Sequence, residues 1–455
     1  MSNDSREDIA REMEQMRAAT LGLFDLVPRE SDLHESPGFG FRPIIWHLAH
    51  IGVFEAYWLL QKAQALPAPD ERYERIFDPI NTPREQSKDL PARREMEDYL
   101  TRVRAPALDF LSNAPIDAED PLLRDAYVFR LVLEHERQHQ ETLAYLLQML
   151  DPAKKSRPRG ERPPGLVTSN VDAAGEPDGR RAGDSTPRRE SPQMIVVPAG
   201  AFVMGARDDV AFAYDNERPA HEVFVGEFKI DRLPVTNAEF AEFVDAGGYA
   251  RREWWDAEGW EWRGREGWAH PLYWSREGAS APWRVRTMFG ESEIAPDHPV
   301  TGVSWYEAEA FARFRGKRLP TEAEWEKAAG WDAPARRRNV YAWGDDEPTD
   351  ERCNFDLRRW GTTPVDSFPA GASASGCLDM TGNVWEWTSS KFAGYPGFRA
   401  HPYPEYSEVW FDDDHRVLRG GSWATHATLL RTSFRNFFRR QFRIAFAGLR
   451  LAADS

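Results

Sequence analysis

Residues 120–150, "DPLLRDAYVFRLVLEHERQHQETLAYLLQML", decide how the first third of this chain is read. Apolar residues recur through the stretch at helical spacing, which predicts one long helix. His135 and His139 stand four apart on one face of it, a spacing that suits two ligands to a single metal ion. Two readings share these residues. From His135 to His139 the chain matches H-E-x-x-H, in which the glutamate, here Glu136, serves a zinc protease as general base. The same stretch also reads as H-x-x-x-H-x-E, ending at Glu141, with a third ligand supplied from elsewhere.

Outward from this helix, three more are predicted. Ile9, Met13, Met16 and Leu23 fall near a helical period. "RPIIWHLAHIGVFEAYWLLQKA" (42–63) is a second helix, with Pro43 suited to its first turn. "PARREMEDYLTRVRAPALDFL" (91–111) is a third, with Pro106 as a kink point. Four helices with modest connections predict an antiparallel bundle. Bundles build metal sites from facing helices, so the third ligand is expected from "WHLAH", which offers His47 and His50. The protease reading lacks an H-x-x-G-x-x-H extension, and the next histidines, His221 and His270, come far downstream.

A chain of 455 residues calls for two or three domains. Its formal charge of −16 argues against a nucleic-acid or anionic-membrane partner, because both need a basic surface. Cys353 and Cys377 are too few for a disulfide framework. The polar, acidic start does not read as a secretory signal, and no apolar run reaches the length of a membrane span. A cytoplasmic location is the expectation. Residues 152–192 hold almost no large apolar residue and many Pro, Gly and charged ones, so a flexible linker is expected there. This divides the chain into a helical bundle at 1–151, the linker, and a second domain at 193–455. The second domain alternates short strands with Gly- and Trp-rich loops. Its clear helices are 304–316 and 321–330, the latter opened by a Thr321–Glu324 capping box. The fold class is therefore α+β and multidomain.

Four blocks of the second domain carry a resemblance. "HPVTGVSWYEAEAFARFRGKRLPTEAEWEKAA" (298–329), "DMTGNVWEWTSS" (379–390), "RVLRGGSW" (416–423) and "FAGLRLA" (446–452) resemble the formylglycine-generating-enzyme fold, a C-type-lectin-like domain. The segment after "RGGSW" has no cysteine, so the resemblance does not extend to formylglycine formation. The first domain resembles the DinB-like four-helix bundle. Their fusion resembles the ergothioneine sulfoxide synthase family.

That resemblance implies iron(II) held by His50, His135 and His139, with O2 as co-substrate. His47 falls where many relatives carry Asp and is not counted as a ligand. The implied substrate is hercynine, a trimethylhistidine, met by Gln138, Asn436, Phe437 and Tyr406. Its quaternary ammonium favours an aromatic or amide wall. The implied catalytic residue is Tyr403, which supplies a proton or hydrogen atom. The partners are small molecules: hercynine and a selenium or sulfur donor.

The donor pocket departs from the γ-glutamylcysteine-using branch. Arg84 matches the first of two arginines there, but Ser87 stands at the second, and Phe438 replaces an aspartate. Losing polar anchors costs about 1–3 kcal/mol each. The departure points to the selenoneine synthase branch, whose donor is a selenosugar. Sulfoxide synthesis from cysteine or γ-glutamylcysteine is the alternative. From other classes stand the zinc protease, a non-catalytic lectin-like binding module, and the DinB-like thiol transferases.

Overall fold

A computed structural model describes residues 3–38, 40–116, 119–158, 194–278 and 280–455. Four long helices form the first domain: α1 (Asn3–Phe24), α2 (Trp46–Glu55, continued as a π-helix over Ala56–Lys62), α3 (Arg93–Asn113) and α4 (Tyr127–Met149). α1 packs on α4 and α3, and α2 packs on α3 and α4.

Two helix starts differ from the sequence reading. α2 starts at Trp46, after a turn that includes Pro43. α4 starts at Tyr127, because Asp125 and Ala126 take φ of 53° and 58° and break the helical path from residue 120. α3 runs through Pro106, as the predicted helix over 91–111 does.

The bundle interior holds a closed set of charges. Arg17 and Arg104 meet Glu55, and Arg17 also meets Glu136. Two cations and two anions cancel, which is the condition under which such groups tolerate burial.

The second domain is built from short strands around buried ion pairs. Met194–Val197 pairs with Phe228–Asp231, which pairs in turn with Ala452–Asp454, so the domain's two ends share one sheet. A second sheet has the order Asn436–Arg439, His415–Arg419, Trp385–Lys391, Ala447–Gly448. Helices Trp305–Phe314 and Glu322–Gly330 lie where the sequence places them, and Thr321 and Glu324 close the expected capping box. Asn237–Asp245 and Ala257–Arg265 are two further helices. Arg419 and Arg435 both meet Glu322, and Arg450 meets Glu386, all deep in the domain.

One apolar core runs through both domains. Helix α4 is the seam. Glu141 accepts hydrogen bonds from Trp385 Nε1 (2.7 Å), Ser422 and Thr425 (2.7 Å), and Gln148 donates to the Arg286 carbonyl (2.8 Å). Of the expected linker, residues 152–158 lie against the bundle, with Ser156 N donating to the Leu26 carbonyl (2.8 Å). The rest of it lies outside the described residues. Among the described residues no helix is long and apolar enough to cross a membrane.

Candidate metal centre

α2 and α4 bring three imidazoles together. One ring nitrogen from each of His50, His135 and His139 lies within 4.8 Å of the other two. His50 is buried, while His135 and His139 keep partial exposure, so one side of the cluster stays open. Burial pushes all three imidazoles below their usual range, His50 to about 4, and each therefore keeps a lone pair at neutral pH.

Neighbours fix the rings. His50 Nδ1 lies 2.9 Å from the Phe77 carbonyl, which can only accept, so Nδ1 carries the proton and Nε2 the lone pair. Trp46 stacks on His50 at 4.4 Å, and Arg42 lies 4.4 Å above the Trp46 ring. Phe54 stacks on His135 at 3.6 Å, with the two rings nearly parallel. His47 Nδ1 lies 3.1 Å from His139 Nδ1. If His139 offers Nε2 to a metal, its Nδ1–H donates to His47, the usual support for a ligating imidazole. His135 Nδ1 is buried with no hydrogen-bond partner, an unmet nitrogen of the kind a metal ion satisfies. Three neutral imidazoles and no carboxylate suit a transition metal such as iron, zinc or copper.

Glu136 is not part of this cluster. Its carboxylate accepts from Arg17 (2.9 and 3.0 Å) and Thr20 (2.7 Å) inside the bundle. The zinc-protease reading is corrected here: one residue on from His135, the side chain points away from the histidines, as the helical period requires. Glu141 is likewise committed to the domain seam.

Tyrosines of the second domain lie beside the cluster. Tyr406 accepts a hydrogen bond from Gln138 Nε2 (2.8 Å) and stacks on Tyr214 at 4.0 Å. The Tyr403 ring lies 5.2 Å from Trp58 and 6.3 Å from Phe54, one ring removed from His135. Burial raises both phenols, so both stay protonated at neutral pH.

The remaining expected residues each have neighbours of their own. Asn436 and Phe438 share one face of their strand, and Phe437 takes the other, where it stacks on Phe392 at 3.9 Å. The Asn436 side-chain oxygen accepts from the Phe437 amide (2.9 Å). Phe438 stacks on Phe442 at 4.3 Å, and Phe442 meets Tyr145 of α4 at 6.2 Å. Arg84 is exposed and donates to the Gly40 carbonyl (2.7 Å), with its charge reaching the Tyr145 phenol. Ser87 is buried and accepts from Arg42 Nη1 (2.5 Å). Arg42 was missed by the sequence reading. The signal was present: Arg42, Trp46, His50, Phe54 and Trp58 recur every fourth residue.

Comparisons with known proteins follow this geometry. Residues 180–455 match the sulfatase-modifying factor enzyme 1-like domain, and residues 12–143 match the DinB superfamily. The chain is 40% identical over 461 residues to hercynine oxygenase of Mycolicibacterium thermoresistibile, covering 99% of this chain and 95% of that protein. It is 40% identical over 459 residues to hercynine oxygenase of Mycobacterium tuberculosis, covering 99% of each. It is also 35% identical over 264 residues to formylglycine-generating enzyme of Mycobacterium tuberculosis, covering 46% of this chain and 77% of that one.

Proposed function

The chain belongs to the family of DinB-like and formylglycine-generating-enzyme-like fusions that includes the hercynine oxygenases, and on that premise we propose an iron(II)- and O2-dependent oxidoreductase acting on hercynine. The bond formed is carbon–selenium at the imidazole C2, with a selenosugar as donor. The observation that carries the reading is the all-nitrogen cluster of His50, His135 and His139, open on the side that Gln138 and Tyr406 border.

When bound, iron(II) supplies O2 activation and the oxidising power for bond formation. The chain's own residues do the rest. The Phe77 carbonyl and the Phe54 ring hold His50 and His135 in orientation. The Gln138–Tyr406 pair presents an amide and an aromatic face to a substrate imidazole and its trimethylammonium group. The Tyr403 phenol, kept protonated by burial, is the proton or hydrogen-atom donor. Apolar packing around Tyr403, Phe54 and Trp58 limits water at that end of the site.

Ser87 and Phe438 favour an uncharged donor, since one offers no charge and the other offers a ring. A second reading, sulfoxide synthesis from cysteine or γ-glutamylcysteine, is favoured by Arg42. Its guanidinium reaches Ser87 and brings positive charge back to that position. Anaerobic loading with iron(II) and hercynine, followed by a donor panel and air, tests the proposal by product mass. A selenium–carbon adduct of hercynine supports it. No hercynine-derived product with any donor overturns it.

A further inference from the structure

The strongest feature outside the histidine site is a cavity of about 330 Å³ in the second domain. Val203 and Trp331 form its apolar wall, and Arg207, Arg336, Arg337 and Arg338 line the rest, with Asp345 as the single carboxylate. Four guanidinia face one carboxylate in a chain whose overall charge is −16. Asp345 is already taken by Arg207 at 2.7 Å, Arg207 is held as well by Asp209, and Arg337 lies 3.9 Å from Asp345, so Arg336, Arg337 and Arg338 are the guanidinia left for a ligand.

Arg338 is the informative member. It is 8% exposed, and its Nη1 is fully buried with no hydrogen-bond partner. The other buried arginines behave differently. Arg17, Arg104, Arg137, Arg419, Arg431, Arg435 and Arg450 each meet a carboxylate. Arg42 and Arg416 each donate to backbone carbonyls. Among the described residues the Arg338 guanidinium makes no side-chain hydrogen bond or close ion pair, and Glu326, Asp208 and Asp209 oppose the cost of its burial only from a distance. A buried guanidinium nitrogen with no acceptor is costly, and an acceptor supplied from outside the chain would offset that cost.

We propose that this cavity is a binding site for a small oxyanion, phosphate or carboxylate, carried on a planar apolar body. The exposed guanidinium forks of Arg336 and Arg337 match two oxygens of either group, Arg338 adds positive charge behind them, and Trp331 offers a stacking face for the body. None of the lining residues belongs to the histidine site, so the inference stands apart from the proposed reaction.

Calorimetry on the full-length chain with phenyl phosphate, inorganic phosphate, benzoate and phenol tests it. The phosphate and benzoate arms separate the two oxyanion sources, and phenol reports the apolar body alone. Phenyl phosphate or benzoate is expected to bind one per chain and to quench tryptophan fluorescence. Binding should persist in His135→Ala, which removes any contribution from the metal site. The double variant Arg336→Ala/Arg337→Ala should weaken it by roughly tenfold or more, the scale of a lost charge-assisted contact. Arg338→Met should abolish binding, and without ligand it should melt no lower than the wild type, because the buried nitrogen with no acceptor is gone. If Arg338→Met does not fold, the double variant decides. Absence of binding by all three anions, binding by phenol alone, or binding unchanged in the double variant would overturn the site.

Discussion

Nδ1 of His47 lies 3.1 Å from Nδ1 of His139, so one of these two rings carries the proton between them. With His139 offering Nε2 to a metal, His47 is the acceptor, a neutral ring where such partners are often carboxylates. His47→Ala should therefore keep a metal site but bind iron(II) about 10–100-fold more weakly, in an anaerobic chelator competition. His47→Asp should recover the affinity. His50→Ala, His135→Ala and His139→Ala should lose stoichiometric iron altogether. Wild-type affinity in His47→Ala would reduce His47 to packing, and complete loss of iron would make it a ligand.

Glu136 sits in the closed charge set with Arg17, Glu55 and Arg104. Glu136→Gln leaves that set with one excess positive charge, at a cost of about 1–3 kcal/mol. Denaturant unfolding should show the loss, while iron stoichiometry stays at the wild-type value. A folded Glu136→Gln protein that no longer holds iron would contradict the separation of Glu136 from the histidines.

Burial pushes the Asp379 carboxyl up to about 8, against the partial opposition of Arg450. The unfolded chain releases this proton near pH 4, so between about pH 4 and 8 the fold holds more protons than the unfolded chain. Stability must fall as pH rises through that window, by at most about 1.4 kcal/mol per unit from this one group. Asp379 adopts φ of 53°, a conformation asparagine also takes readily. Asp379→Asn should therefore gain on the wild type from pH 5 to pH 8 in paired unfolding curves. A constant difference would show a carboxylate satisfied in the fold.

The histidine cluster was legible in the sequence because helical spacing is short-range: a spacing of four from His135 to His139 fixes their shared face. The same rule placed Glu136 on another face, and the structure shows what it meets there. Two features were not legible. The partners of Glu141, among them Trp385 and Thr425, lie more than 240 residues away, and no local period announces them. The contact between Arg42 and Ser87 spans 45 residues and depends on where a loop returns to the start of α2. Helix starts were misplaced where left-handed residues, Asp125 and Ala126, interrupt an otherwise helical pattern.

The roles proposed for Tyr403 and Tyr406 are separable. Tyr406 is bonded to Gln138, so Tyr406→Phe should weaken hercynine binding and raise its KM. Tyr403 has no such tie and lies one ring from His135. Tyr403→Phe should bind iron and hercynine normally but lose most of kcat, with O2 consumption uncoupled from product. Unchanged kcat in Tyr403→Phe would move the donor role to another residue, with Tyr406 the first to test.

The proposed donor preference rests on Ser87 and Phe438. In a one-pot competition of equimolar selenosugar, cysteine and γ-glutamylcysteine with iron(II), hercynine and air, the selenium product should dominate. A selenol ionises more readily than a thiol, whose pKa is near 8.5, so the selenium donor arrives as an anion at neutral pH. Phe438 lies on the face of its strand that leads through Phe442 to Tyr145, and Arg84 acts on that same tyrosine. A sugar ring can pack in such a place, whereas the ammonium and carboxylates of γ-glutamylcysteine find one exposed arginine and no aspartate. Phe438→Asp with Ser87→Arg should therefore raise kcat/KM for γ-glutamylcysteine by at least roughly tenfold, since each regained polar anchor is worth on the order of 1–3 kcal/mol. The gain will be partial, because Arg42 already occupies the space beside residue 87 and a second guanidinium must share it. Dominance of a cysteine-derived sulfoxide in the wild type would discard the selenium donor and leave the iron site standing. Dominance of the γ-glutamylcysteine product would show that Arg42 replaces the missing arginine, and Arg42→Gln should then abolish that preference.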